Sequence, residues 1–222
     1  MVDSEYYDFD RCGIKKLVVG PLDVNCYILW DRKSREAVII DPGGDASDIE
    51  QEVEDEGLEV RYIINTHGHF DHVGADAELG SALDADIAIH RLDLPLLENV
   101  TSQGSLFGLE VSPQPTPSVL LEDGMELKVD GMVIEVIHTP GHTQGGVSLY
   151  VKDEEILFTG DTLFAGSIGR TDLPGGCYET LLDSLKEKIL PLGDDVRVFP
   201  GHGPITTISE EKFANPFVRE VL

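Results

Sequence analysis

With 222 residues and a formal charge of −26, from 42 acidic against 16 basic side chains, the chain lacks the basic footprint of a nucleic-acid binder. Its apolar content of 41% suffices for a core, and a chain of this length buries about 70–75% of its unfolded surface as one domain, residues 1–222. The amino terminus is acidic and no apolar stretch approaches the roughly 18–20 residues that cross a bilayer, so neither a signal peptide nor a membrane span is expected.

In chain order, the first informative segment is Ala37 to Asp41, a buried-looking strand that runs into Pro42-Gly43-Gly44. There Asp41 either caps the turn or orients a ligand histidine from behind. Asp45 to Glu56 has helical amphipathicity. Val60 to Asn65 is an apolar strand, and it leads directly into His67-Gly68-His69-Phe70-Asp71-His72, three imidazoles and a carboxylate in six residues. On a helix, His67 and His69 would point about 200 degrees apart. Extended backbone places them on one side, so they can share an ion, while Asp71 and His72 face a second one just past the turn. Gly68 and Gly74 are expected to let the backbone bend there. Gly74 to Leu83 reads as a second helix and Asp86 to His90 as a strand, with His90 an ordinary polar terminus.

Val100 to Ser118, rich in Pro, Gly and Ser with Leu106, Phe107 and Leu109 in its middle, reads as one long loop without secondary structure. Such a loop is a wall of a substrate cleft or an inert connection. Val133 to Ile137 then runs into His138 and Pro140-Gly141-His142-Thr143; Ile156 to Thr159 runs into Gly160-Asp161-Thr162; Val196 to Phe199 runs into Pro200-Gly201-His202-Gly203. Each is a short apolar strand ending on a glycine-flanked His or Asp. His138 is a substrate or supporting contact, or it is solvent-exposed. Gly176 to Leu190 supplies a third helix, with Tyr178, Leu181, Leu182, Leu185 and Ile189 on one face. Strands and helices in this order fit helices layered outside two sheets. Cys12, Cys26 and Cys177, far apart and without a Cys-x-x-Cys, read as free thiols in a reducing cytoplasm.

Four strand ends delivering His or Asp to glycine-rich loops converge on one sheet edge. Counting gives His67, His69 and His142 for one metal ion and Asp71, His72 and His202 for another, with the two oxygens of Asp161 able to bridge both. Seven such ligands suit two divalent ions. Zinc is the first expectation, and iron and manganese accept the same His and Asp donors. A water between two ions is acidified from 15.7 toward about 7, which makes a hydrolytic nucleophile at neutral pH.

Thr66 to His72, Pro140-Gly141-His142-Thr143, Phe158 to Phe164 around Gly160-Asp161, and Pro200 to Gly203 resemble the metallo-β-lactamase superfamily. Within it, they resemble the glyoxalase II branch. The likeness runs from about Gly20 to His202. Phe107-Gly108, Gly169-Arg170-Thr171-Asp172, Gly203 to Thr207 and Asn215-Pro216-Phe217 are similar to the short, single-domain bacterial hydroxyacylglutathione hydrolase-like subgroup. The resemblance implies an α+β fold, a four-layer αββα sandwich, with a dinuclear site hydrolysing thioesters of the S-acylglutathione type. Asp71 and Asp161 would position the metal-bridging hydroxide as well as bind metal. Arg170 occupies a position resembling the family's glutathione-contacting cation, where it would hold a substrate carboxylate, or else it is a structural partner of Asp172. Two divalent ions outweigh Asp71 and Asp161 locally, so a small anionic thioester is compatible with an acidic chain.

Departures from the pattern also inform. Asp161 stands where antibiotic-degrading members carry a cysteine, so β-lactam hydrolysis is not expected. His69 stands where the flavodiiron branch has a glutamate. About twenty residues follow His202, so the helical domain of full-length glyoxalase II is not expected, and Pro204 and Gly146 stand where that branch has a tyrosine and a histidine. The principal alternative activity is that of the persulfide dioxygenases, which are similar through the same motifs but hold a single ferrous ion through the equivalents of His67, His142 and Asp161.

Overall fold

The computed structural model describes residues 2–222. A seven-stranded sheet holds β1 (Asp3–Asp8), β2 (Cys12–Val19), β3 (Val24–Asp31), β4 (Glu36–Ile40), β5 (Glu59–Ile64), β6 (Asp86–His90) and β7 (Val119–Leu121) in that spatial order. The first four strands are antiparallel neighbours and the last four run parallel. A second sheet begins with β8 (Glu126–Val129), β9 (Met132–His138), β10 (Val147–Val151) and β11 (Ile156–Gly160). After a hairpin of β12 (Leu163–Phe164) and β13 (Ser167–Ile168), it adds β14 (Arg197–Pro200) parallel to β11 and β15 (Thr206–Thr207) at its edge.

The period of two along the strands decides the layering. On β3, Tyr27 and Leu29 face the second sheet, where they pack with Phe158, Phe199, Val136 and Leu149. Ile28 and Trp30 face the other way, onto Ile49 and Val53 of α1 (Ala46–Glu56). The parallel strand β4 is apolar without alternation because both of its faces are covered. On the far side of the second sheet, Leu157 and Val198 meet Leu181 of α6 (Tyr178–Ser184), followed by Leu185 and Ile189 in a π turn. Helices therefore lie on the outer face of each sheet, the αββα arrangement. No helix among the described residues is long and apolar enough to cross a membrane.

Short helices crowd the edge where the ligand loops emerge: α2 (Phe70–Val73), α3 (Asp76–Leu83), α4 (Leu94–Glu98) and α5 (Val100–Leu106). α5 corrects the reading of residues 100–118 as one structureless loop. Its Gly and Ser content concealed two helical turns, and Gly104 serves packing rather than flexibility, since a Cβ there would lie 2.5 Å from Cγ2 of Val111. Two further helices close the chain, α7 (Ile208–Ala214) and α8 (Pro216–Arg219).

Candidate metal centre

His67 follows β5, Asp71 and His72 ride on α2, His142 lies between β9 and β10, and Asp161 and His202 follow β11 and β14. Three groups have their donor atoms mutually within 4.8 Å: His67, His69 and His142; His67, His72 and Asp161; and Asp71, His72 and His202. All seven residues expected from the sequence therefore come together. Asp161 is central, with Oδ1 at 3.5 Å from Nε2 of His72 and Oδ2 at 3.6 Å from Nε2 of His142 and 3.9 Å from Nε2 of His202. Asp71 Oδ2 lies 3.4 Å from Nε2 of His202.

The rings are oriented from behind. Asp41 accepts from Nδ1 of His72 at 3.0 Å and from both the backbone N–H and the hydroxyl of Thr66 at 2.7 Å. Since that hydroxyl donates to Asp41, it accepts from Nδ1 of His67 at 3.1 Å. His142 Nδ1 donates to the backbone carbonyl of Arg170 at 2.7 Å. Each of these three tautomers leaves the Nε2 lone pair pointing into the cluster. Asp41 is thus an orienting carboxylate, although it sits in a turn with φ +53°.

The donor set fits divalent ions on observations of the protein alone. His67 Nε2, His72 Nε2 and Asp161 Oδ1 are buried with no hydrogen-bond partner, and a buried polar atom left in that state costs about 1–3 kcal/mol. Nδ1 of His69 and Nε2 of His142 stand 2.9 Å apart; with the His142 proton on Nδ1, a cation or proton must lie between them. Burial drives the His67 pKa well below its ordinary value, and burial with the nearby His142 takes His69 down to about 3. Burial also opposes an imidazolium at His72, but Asp161, Asp71 and Asp41 outweigh it and raise that pKa to about 10. Burial acts to raise Asp71, and His72 and His202 overcome it, holding the carboxyl below the usual range.

Gly68 and Gly74 do not bend the chain through glycine-only conformations. They are glycines because of close approach: a Cβ on Gly68 would lie 2.8 Å from Cβ of Leu96, and one on Gly74 would strike the Gly43 carbonyl. Two residues absent from the sequence reading hold the ligand loops. Asp93, wholly buried, accepts from the N–H of Gly68 at 3.0 Å, the hydroxyl of Thr143 at 2.7 Å and the N–H of Gly145 at 2.6 Å, joining the two histidine loops. Gln103 on α5 accepts from the N–H of Phe70 at 3.3 Å and donates to the carbonyl of Gly68 at 3.2 Å, bracing the backbone on either side of His69. His90 and His138 stack on each other at 4.4 Å outside the cluster, and His138 Nε2 lies 2.9 Å from the Gln144 carbonyl.

A cleft of about 440 Å³ opens onto His69, Asp71, His142, Asp161 and His202. Arg170 lines it, with Nε and a terminal nitrogen donating to the two carboxylate oxygens of Asp172 at 2.7 and 2.8 Å. Leu106 and Phe107 also line it, which makes the end of α5 a cleft wall.

Residues 19–202 match the sequence profile of the metallo-β-lactamase superfamily. Hydroxyacylglutathione hydrolase GloC of Haemophilus influenzae is 41% identical over 208 residues, covering 93% of this chain and 98% of that protein. The human mitochondrial persulfide dioxygenase ETHE1 is 34% identical over 195 residues, covering 86% of this chain and 69% of that protein. Among solved structures, BLEG-1, described as a B3 metallo-β-lactamase, superposes with a TM-score of 0.87 at 39% identity, covering 92% and 99% of the two chains. TTHA1623 in a di-iron-bound form gives 0.85 at 41%, covering 91% and 98%. With the sandwich, the convergent histidines and aspartates, and a profile spanning every one of them, the chain belongs to the metallo-β-lactamase superfamily.

Proposed function

We propose that this superfamily member is a cytoplasmic thioester hydrolase acting on small anionic substrates of the S-acylglutathione type. His67, His69 and His142 would hold one divalent ion and Asp71, His72 and His202 a second, with Asp161 shared. The carrying observation is the trio of buried, unpartnered donors His67 Nε2, His72 Nε2 and Asp161 Oδ1, brought together from the turn after β5, from α2 and from the loop after β11. The likeness to GloC supports the thioester assignment, and three unpaired thiols support the compartment. Zinc is the first metal in this reading; the di-iron form of TTHA1623 keeps iron beside it.

Bound ions of this kind supply a Lewis acid for the acyl carbonyl and a water acidic enough to ionise near neutrality. The chain's residues do the rest. Asp71 and Asp161, with carboxylates at the cleft floor, orient the attacking water; its oxygen adds to the acyl carbon, the C–S bond breaks and the sulfur leaves as thiolate. Arg170 is exposed and its partner Asp172 more so, at 54% and 70%, and a pair so placed is held weakly. Its guanidinium can therefore exchange Asp172 for a substrate carboxylate without a large loss.

The likeness to ETHE1 favours a second reading, oxygenation of a persulfide at one iron on His67, His142 and Asp161. The likeness to BLEG-1 reopens β-lactam hydrolysis, which the Asp161 departure argued against. Protein loaded separately with zinc, manganese and ferrous iron should consume S-lactoylglutathione, followed as loss of thioester absorbance. Oxygen uptake on glutathione persulfide by the iron form alone, or turnover of a chromogenic cephalosporin without thioester cleavage, would replace the proposal.

A further inference from the structure

The composition of the cleft bears on which acyl group it takes. Beyond the five metal-cluster residues, its lining is Leu22, Phe70, Leu96, Leu106, Phe107 and Leu173 with Pro174, and only two polar side chains, Gln103 and Arg170. Neither polar group is free for the acyl chain: Gln103 is spent on the backbone, and Arg170 is the group taken above for the carrier's carboxylate. The Gln103 amide nitrogen donates to the carbonyls of Leu96 at 2.7 Å and Gly68 at 3.2 Å, and its oxygen accepts from Phe70; Arg170 is engaged by Asp172. A hydroxylated acyl chain would lose its water against such a wall and find nothing in exchange, at a cost of about 1–3 kcal/mol per group.

The same wall is exposed when it should be covered. Of the nine large apolar side chains exposed among the described residues, Leu106, Phe107 and Leu22 all line this cleft, at 86%, 52% and 38% exposure. They stand on a protein of charge −26, which otherwise presents an acidic surface to water. The wall is also fixed in place. Phe107 packs its ring on Phe70 at 5.2 Å, and Phe70 is the neighbour of both His69 and Asp71. Through Gln103 the helix bearing Leu106 is bonded to the backbone around His69, so the apolar surface begins beside the reacting carbonyl's place.

Resting on the thioester reading above, we propose that the acyl group this site selects is apolar, an aliphatic chain lying along Leu106, Phe107 and Leu22, rather than a hydroxyacyl group. Selection comes from burial of methylenes on a wall without hydrogen-bond donors or acceptors, while the polar carrier stays toward Arg170 and solvent.

Two series measured on the zinc-loaded protein test this. The first is kcat/KM for S-lactoyl-, S-propionyl-, S-butanoyl- and S-hexanoylglutathione, expected to rise roughly two- to fourfold per added methylene. The second is calorimetric binding of the uncleavable thioethers S-methyl-, S-butyl- and S-hexylglutathione, expected to tighten by a similar factor. In the doubly substituted Leu106→Ser, Phe107→Ser protein, whose changed side chains are exposed, the hexanoyl-to-lactoyl ratio should fall about tenfold. Turnover of every thioester without a chain-length trend overturns this inference and leaves thioester hydrolysis intact. A binding trend in the thioethers with no thioester cleaved does the reverse. Absence of both trend and turnover removes the two together.

Discussion

At the scale of single residues, each proposed ligand ring with a resolved partner spends one nitrogen on the protein and keeps the other for the site. The pH dependence of metal-stripped protein follows. Unfolded histidine titrates near 6.5. His69 is driven by burial to about 3 and His67 well down, so as pH falls below about 6.5 the unfolded chain takes protons that these rings refuse, and stability drops. His72 has the opposite sign. Its folded value of about 10 stabilises fully below about 6.5, and that contribution is lost as pH rises toward 10. Melting temperatures of the stripped protein should therefore peak near neutrality and fall on both sides; a flat profile would mean the rings are solvated. Asp93 acts through three hydrogen bonds on two ligand loops. Asp93→Ala should weaken metal binding about 10- to 100-fold by competition with a chromophoric chelator, a readout that simple destabilisation below the melting point would not move. Arg170→Ala should raise KM for an anionic thioester with metal content unchanged, and unchanged kinetics would remove it from the site. All seven cluster residues were legible because their chemistry sits beside glycine, at strand ends or in the short turn and helix just past β5. Asp93 and Gln103 were not, since their partners on the ligand loops lie 25 to 52 and 33 to 35 residues away and nothing local marks them.

At the scale of elements, period alone located α1, α3 and α6, and short apolar runs bounded by Gly and Pro located the strands that carry the site. It failed for α5, where Gly104 and its serines mimic a loop, and for the end of the Tyr178 helix, which loosens into a π turn before Pro191. The small residue in α5 is required by the segment folded back on it. Gly104→Ala should cost about 1–3 kcal/mol in chemical denaturation, because Val111 must move to admit a methyl group. If the substitution stabilises the protein instead, as alanine does in an unobstructed helix, residues 109–111 do not pack there.

At the scale of the whole molecule, the sandwich keeps most of its acidic residues on a surface that repels itself. At fixed metal loading, raising ionic strength from about 0.01 to 0.15 M shortens the screening length from about 30 to 8 Å and should raise the melting temperature of a chain carrying −26. A melting temperature indifferent to salt would show that the charges are compensated locally. Composition and strand order made the layered architecture legible, whereas the contact between the two sheets at the site was not. The loop bearing His202 is tied to the first sheet as well as to its own: Asn25 donates from its backbone to Gly201 at 2.7 Å and from its side chain to Pro200 at 2.9 Å, the Tyr27 hydroxyl donates to Pro200 at 2.6 Å, and Val24 bridges His202. This clasp orders events during synthesis. Asp71 and His72 leave the ribosome early, but the third member of their trio arrives only with residue 202, together with the Phe199 and Pro200 that meet Tyr27 and ahead of β15. One half of the proposed site thus waits on completed tertiary structure, so capture of a second ion would report a finished protein rather than help a nascent one to fold.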